Sequence, residues 1–227
     1  MTAFTIIAAP EGTDPAIPLL APILEGLAPE VADCAICLPI GDANRLLLAA
    51  LQRFAQEFPG AGAPHAGALC VDPFRPAGLL LDSLAEAGAA GIVNLPCAAV
   101  IDGRFRDAMA AVPATLDHEL AVLGRAGTHG LEARAVVLSR EQGLRAMDAG
   151  VHRLILHPGL PVNLDRHSRP RLADALLETL DALRRRNEKA ELLVYRHPSF
   201  ADVTDAAVEI ADGTLDYAVR FDAGAPP

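Results

Sequence analysis

GALCVDPFR at residues 67–75, AGIVNLP at 90–96 and VIDGRFR at 100–106 decide how this chain is read. One apolar run ends abruptly in Asp72-Pro73-Phe74-Arg75. A second ends in Asn94-Leu95-Pro96, just before a loop that carries Asp102, Arg104 and Arg106. Strands of a parallel α/β protein are buried on both faces and read as unbroken Val/Ile/Leu/Ala runs. The polar residues that follow them gather on one rim, which is where chemistry is sought.

Outward from that stretch, strand-like and helix-like segments alternate. FTIIAA precedes a helical pattern over Pro15 to Leu27, DCAICL precedes Ala43 to Phe58, GALCV precedes Pro76 to Ala87, and AGIVNL precedes Thr115 to Thr128. ARAVVL then leads to Arg140–Ala149, HRLILH to Pro170–Glu188, ELLVY to Val203–Ala211, and DYAVRF comes last. This is the order of a (β/α)8 TIM barrel without its final helix, in one domain spanning residues 1–227. Local signals agree. Asp42 can cap the helix whose apolar stripe is Leu47, Ala50, Leu51 and Phe54. Ser139 and Gln142 have capping-box spacing. Leu116, Leu120 and Leu123 form a buried stripe that leaves Glu119 on its flank, within reach of a neighbouring loop.

The 227 residues are 52% hydrophobic, enough for a large core. The apolar runs are short, and none approaches the roughly 20 residues of a membrane span. MTAFTIIAAPEG lacks the basic start and long apolar centre of a signal peptide, so the cytoplasm is the expected location. A net charge of −10 disfavours a nucleic-acid partner. Arg184-Arg185-Arg186 reads as the C-terminal turn of a helix, where cations suit the dipole. Cys34, Cys37, Cys70 and Cys97 are expected as buried reduced thiols, because residues three apart on a strand point to opposite faces and cannot clamp one metal. Walker-A, G-x-G-x-x-G, HExxH and GxSxG patterns are absent, so no nucleotide cofactor is expected.

GDAN at residues 41–44, VDPFR at 71–75, NLP at 94–96, IDGRFR at 101–106 and Asp117-His-Glu-Leu120 occur in an order and spacing that resembles the phosphoenolpyruvate hydrolase-like TIM-barrel family. That family also supplies the C-terminal domain of a plant antiviral resistance protein. The resemblance is carried by residues 38–160 and implies a barrel acting on a small anionic metabolite. Loops differ from the family pattern after the first strand (APEGTDP), after the sixth (His157-Pro158-Gly159-Leu160) and after the seventh (Arg196-His197-Pro198-Ser199), where family glycines are missing.

Candidate residues follow the strands: Asp42 and Asn44 the second, Asp72 the third, Asn94 the fourth, His157 the sixth, His197 the seventh and Asp222 the eighth. Each has a structural alternative. Asp42 is an N-cap, Asp72 a turn-starter before proline, Asn94 a backbone clasp, and a loop histidine is often solvent-facing. Asp102 with Arg104 and Arg106 is either a tight turn with solvated guanidiniums or an anion clamp with Asn44 and Asn94 as further substrate contacts. On the functional side, Asp72, Glu119, His157 and His197 are the catalytic candidates. Asp42 and Asp72 could hold Mg²⁺ through oxygen ligands. The expectation is a lyase or hydrolase of a small oxoacid or phosphorylated or phosphonate anion, in a homo-oligomer. The alternative is a diverged non-catalytic or regulatory subunit that pairs with another family member.

Overall fold

The computed structural model describes residues 2–7, 17–25, 27, 31–32, 35, 41–101, 103–112, 114–160 and 167–217. Strands β1 (Thr2–Ile7), β2 (Ile17–Leu20), β3 (His65–Ala68), β4 (Gly91–Asn94), β5 (Glu132–Val137), β6 (Arg153–Leu156), β7 (Glu191–Arg196) and β8 (Gly213–Tyr217) close into a barrel in sequence order, every pair parallel. Helices α1 (Ala43–Glu57), α2 (Ala77–Glu86), α3 (Gly103–Met109), α4 (Leu116–Leu123), α5 (Arg140–Asp148), α6 (Ser168–Arg186) and α7 (Ala201–Ile210) fill the connections from β2 to β8. The expected TIM barrel is therefore present. None of the described helices is long and apolar enough to cross a membrane.

Two expectations at the start of the ring are corrected. The second strand is Ile17–Leu20, inside the segment read as a helix over Pro15 to Leu27, and not DCAICL. Ala32 and Ala35, on either side of the run's start, are helical and buried. Ile-Pro-Leu-Leu is short, and its partners on both sides are strands, which periodicity alone cannot reveal. Cys34 and Cys37 lie outside the described residues, as do Asp102, Asp222 and everything after Tyr217 where a final helix would come. Cys70 and Cys97 are buried thiols.

The third strand is also displaced from GALCV to His65–Ala68. The ladder stops at Ala68 because Asn44, in the first turn of α1, takes over the next residue. Its Oδ1 accepts from the Leu69 N–H at 3.0 Å and its Nδ2 donates to the Leu69 carbonyl at 2.9 Å. Gln142 in α5 does the same between loops, accepting from Leu138 N–H and donating to Ala99 O, each at 2.7 Å. Ser139 caps α5 as expected, accepting from Gln142 N–H, but the Gln142 side chain is spent on those loops and does not complete the box. At the end of α6, Arg184 donates to the Ala190 carbonyl and to Asp212, consistent with a structural role for the arginine run.

Strand alternation sorts the interior. Asn94 reaches out of the barrel to α4, so Gly91 and Val93 face the lumen. Register partners share a side, and following them round the ring places His65, Glu132, Arg134, Arg153 and Glu191 inside at the N-terminal end. Arg134 donates to Glu132 at 2.5 Å and to Glu191 at 2.8 Å, and Arg153 lies 3.3 Å from both carboxylates. These paired charges plug the bottom of the barrel, the end associated with stability. The same register puts Tyr195, Leu215 and Tyr217 inside toward the C-terminal mouth.

Candidate functional site

The loops after β3 and β4 deliver polar groups to that mouth. Asp72 is held on every side: its Oδ2 accepts from Asn44 Nδ2 and Arg75 Nη1, both at 2.9 Å, and its Oδ1 accepts from the Phe74 N–H at 2.8 Å. Burial pushes the Asp72 carboxyl upward, and these hydrogen bonds outweigh it, leaving the group below its usual range. Arg75 also donates to Asp42 at 3.0 Å. Asp42 is lowered too, by the Arg45 N–H it caps and by Arg75. Asp42, Asn44 and Asp72 thus meet in one cluster around Arg75.

A guanidinium already bridges Asp42 and Asp72, the pair on which the sequence reading places Mg²⁺. The described residues contain no group of three or more His, Cys, Asp or Glu suited to a metal ion. The two carboxylates do not fit a divalent ion unless Arg75 leaves.

Asn94 and Glu119 form the second cluster. Asn94 Oδ1 accepts from the Val136 N–H at 2.7 Å, and its Nδ2 donates to Glu119 Oε2 at 2.8 Å. Glu119 Oε1 accepts from the Ala98 N–H, also at 2.8 Å. The flank position in α4 therefore does reach a loop. Glu119 is 0% exposed, and burial pushes it up to about 8 against the pull of Asn94 and the Ala98 N–H. Near neutral pH it is protonated. Each oxygen already accepts one bond, so the acid proton occupies a remaining lone-pair position.

Both clusters border one cavity of about 630 Å³, walled by the β3 and β4 loops, α3 and α4. Asp72, Arg75, His118, Glu119 and Arg125 supply its polar groups, and Cys70, Cys97, Met109 and Val112 are part of its otherwise apolar wall. Burial, then the nearby Glu119, pushes the Cys70 thiol well up, so it is an inert part of that wall. Arg104 and Arg106 are exposed on α3 and do not border this cavity. Arg106 instead lines an adjoining hollow of about 450 Å³ with Thr115, Asp117, Gln142 and Arg145. The two hollows share Ala98, Ile101, Met109 and Ala114, so α3 stands between them.

His157 and His197 form a third group, inside the mouth above β6 and β7. The His157 N–H continues the ladder to Val137 O, and its ring stacks on Tyr195 with centroids 4.2 Å apart. Burial, with His197 nearby, pushes His157 down to about 3, so it is neutral at physiological pH. Arg75 and Arg125 were not among the sequence candidates. Arg75 was visible as the end of DPFR, three residues from Asp72, whereas nothing local marks Arg125.

The family model described as phosphoenolpyruvate hydrolase-like matches residues 30–195. The chain belongs to that family. An uncharacterised protein of Sinorhizobium fredii, y4oT, is 32% identical over 139 residues, covering 61% of this chain and 69% of that protein. Among solved structures, dihydropteroate synthase from Thermus thermophilus in complex with 4-aminobenzoate has a TM-score of 0.52 at 14% identity, covering 95% of this chain and 88% of that one. Tryptophan synthase subunit alpha from Legionella pneumophila has a TM-score of 0.50 at 16% identity, covering 96% and 80%. These likenesses concern the barrel alone. Within this phosphoenolpyruvate hydrolase-like chain, the family match spans every residue of the cavity and His157, and stops short of His197.

Proposed function

We propose that this barrel is an enzyme, a lyase or hydrolase of a small oxoacid or a related phosphorylated or phosphonate anion, working in the cavity between the third and fourth β/α units. The observation that carries the reading is a pair of carboxyl groups on one wall with opposite environments. Glu119 is fully buried and meets only neutral donors, which raises it, whereas Asp72 is bound by the Arg75 guanidinium, Asn44 and the Phe74 N–H, which lower it. Environments that split two carboxyls in this way assign an acid and a base. Glu119 delivers its proton to the departing or protonated atom of the substrate. Asp72, ionised and fixed by Asn44 and Arg75, orients the nucleophilic water or takes the proton. Arg125, exposed at the same cavity and without an ion pair among the described residues, grips the substrate's acid group. Arg104 and Arg106 on α3 add positive charge beside the opening and favour anion entry.

A screen of oxoacids, phosphoenolpyruvate-like esters and phosphonates tests this, comparing the natural chain with Asp72→Asn, Glu119→Gln and Arg125→Ala. The expected result is turnover that falls by about 10²-fold or more for the two carboxyl variants. Turnover indifferent to both removes the assignment.

The alternative, a non-catalytic subunit, is favoured by the apolar wall together with Phe74, Leu79 and Val112, which are 87%, 56% and 52% exposed. Under that reading the chain copurifies with a fuller family member and turns over nothing in the screen.

A further inference from the structure

His157 carries a buried polar atom that the described residues leave unsatisfied. The residue is 2% exposed, and its Nδ1 lies 3.0 Å from the Gly159 backbone nitrogen. An N–H can only donate, so Nδ1 is the acceptor and the proton of the neutral ring is on Nε2. That Nε2 is buried and has no hydrogen-bond partner among the described residues. A buried donor without an acceptor is costly, so its retention calls for a ligand or water.

The local sequence explains the geometry. In His157-Pro158-Gly159 the proline has no N–H, and the next residue donates back to the ring. His197-Pro198-Ser199 repeats the device on the neighbouring strand, with Ser199 N–H to His197 Nδ1 at 3.1 Å. Strand alternation carried on from the register places both rings inside the barrel mouth, with centroids 4.2 Å and 6.4 Å from that of Tyr195. The charged lumen residues Arg134, Arg153, Glu132 and Glu191 pair with one another at the opposite end. Around His157, the described neighbours are the rings of Tyr195 and Phe200 and the imidazole of His197, with no carboxylate or guanidinium among the contacts. Such surroundings suit a neutral carbonyl or a singly charged carboxylate better than a phosphate dianion.

We propose that the barrel mouth above β6 and β7 is a second ligand position, where His157 donates its Nε2–H to a carbonyl or carboxylate oxygen of a small organic acid. Its imidazole acts as a fixed-tautomer donor and not as a proton carrier. This position is separate from the cavity of Asp72 and Glu119 and stands whether or not that cavity is catalytic.

The test is a nitrogen NMR experiment on the full chain with ¹⁵N-labelled histidine. At neutral pH, the expected pattern for His157 is protonated Nε2 and unprotonated Nδ1. Added pyruvate should move the Nε2 resonance saturably, and inorganic phosphate should not. His157→Phe keeps a ring on Tyr195 but no donor, and should weaken this binding about tenfold, equivalent to about 1.4 kcal/mol. A proton on Nδ1 overturns the proposal. So does an Nε2 resonance that pyruvate leaves in place, which would mark a trapped water, or one that responds to phosphate in preference to pyruvate. Because the signal is local, pyruvate bound only in the Asp72 cavity leaves it unmoved, and the two readings fail separately.

Discussion

Glu119 and Asn94 meet at 2.8 Å in a fully buried contact that ties α4 to β4. Glu119 is protonated in the folded chain up to about pH 8 but ionises near its ordinary value of 4.5 once unfolded. Between those two values the unfolded state binds fewer protons, so this group makes stability fall as pH rises. The effect is at most about 5 kcal/mol. Urea unfolding at pH 5, 7 and 9 should show the decline in the natural chain. Glu119→Gln should remove that part of it, at the cost of about 1 kcal/mol at pH 5, because the amide must turn a donor toward Asn94 or Ala98. An identical pH slope in both proteins would contradict a buried, neutral Glu119.

Arg75→Ala tests the other carboxyl with the opposite sign. A lowered Asp72 stabilises the fold above its ordinary value of 3.8, and that contribution is lost as pH falls through the folded-state value. Without Arg75, Asp72 keeps Asn44 and the Phe74 N–H but not its charge partner. The variant should be about 1–2 kcal/mol less stable at neutral pH, with the gap closing in acid. Where turnover is found, the acid limb of its pH profile should move upward in the same variant. A stability gap unchanged at low pH would mean that the bridge to Asp72 contributes little.

The middle of the barrel was legible because its strands obey one rule: AGIVNL, ARAVVL, HRLILH and ELLVY are apolar runs covered on both faces, ended by polar residues at the rim. The start was not, since Ile17–Leu20 is four residues long and DCAICL imitates a strand more convincingly. GALCV misplaced the third strand for a different reason. Leu69 leaves the ladder because a side chain, Asn44, satisfies its backbone groups, and no periodicity records such an exchange. At the site, polar residues closing apolar runs pointed correctly to one rim, and a flank position singled out Glu119. Arg125 comes to the cavity only because the short turn of 3-10 helix after α4, Ala126–His129, packs against α2, which sequence spacing does not encode.

Asn44 follows from that exchange. Removing its side chain strips the Leu69 N–H and C=O of partners and releases one of the three groups that fix Asp72. Asn44→Ala should cost about 2 kcal/mol in chemical denaturation and raise the Asp72 carboxyl toward its ordinary value. Amide exchange at Leu69 supplies the local readout. It should accelerate more than exchange in β5, whereas protection unchanged at Leu69 would show that water replaces the clasp without loss.

Gly91 supplies a prediction at the end of the barrel away from the chemistry. A Cβ there would lie 2.5 Å from the Glu132 carbonyl oxygen and 2.6 Å from the His65 ring, both closer than atoms tolerate. The ring can turn, but a ladder carbonyl of β5 cannot move without disturbing its strand. Gly91→Ala should therefore destabilise the chain by about 1–3 kcal/mol, and adding His65→Ala should recover only part of the loss. Ligand binding at the Asp72 cavity should stay as it was in folded protein, because the collision is confined to the charged plug around Arg134. Full recovery in the double variant would assign the tight contact to the imidazole alone and free the backbone from the argument.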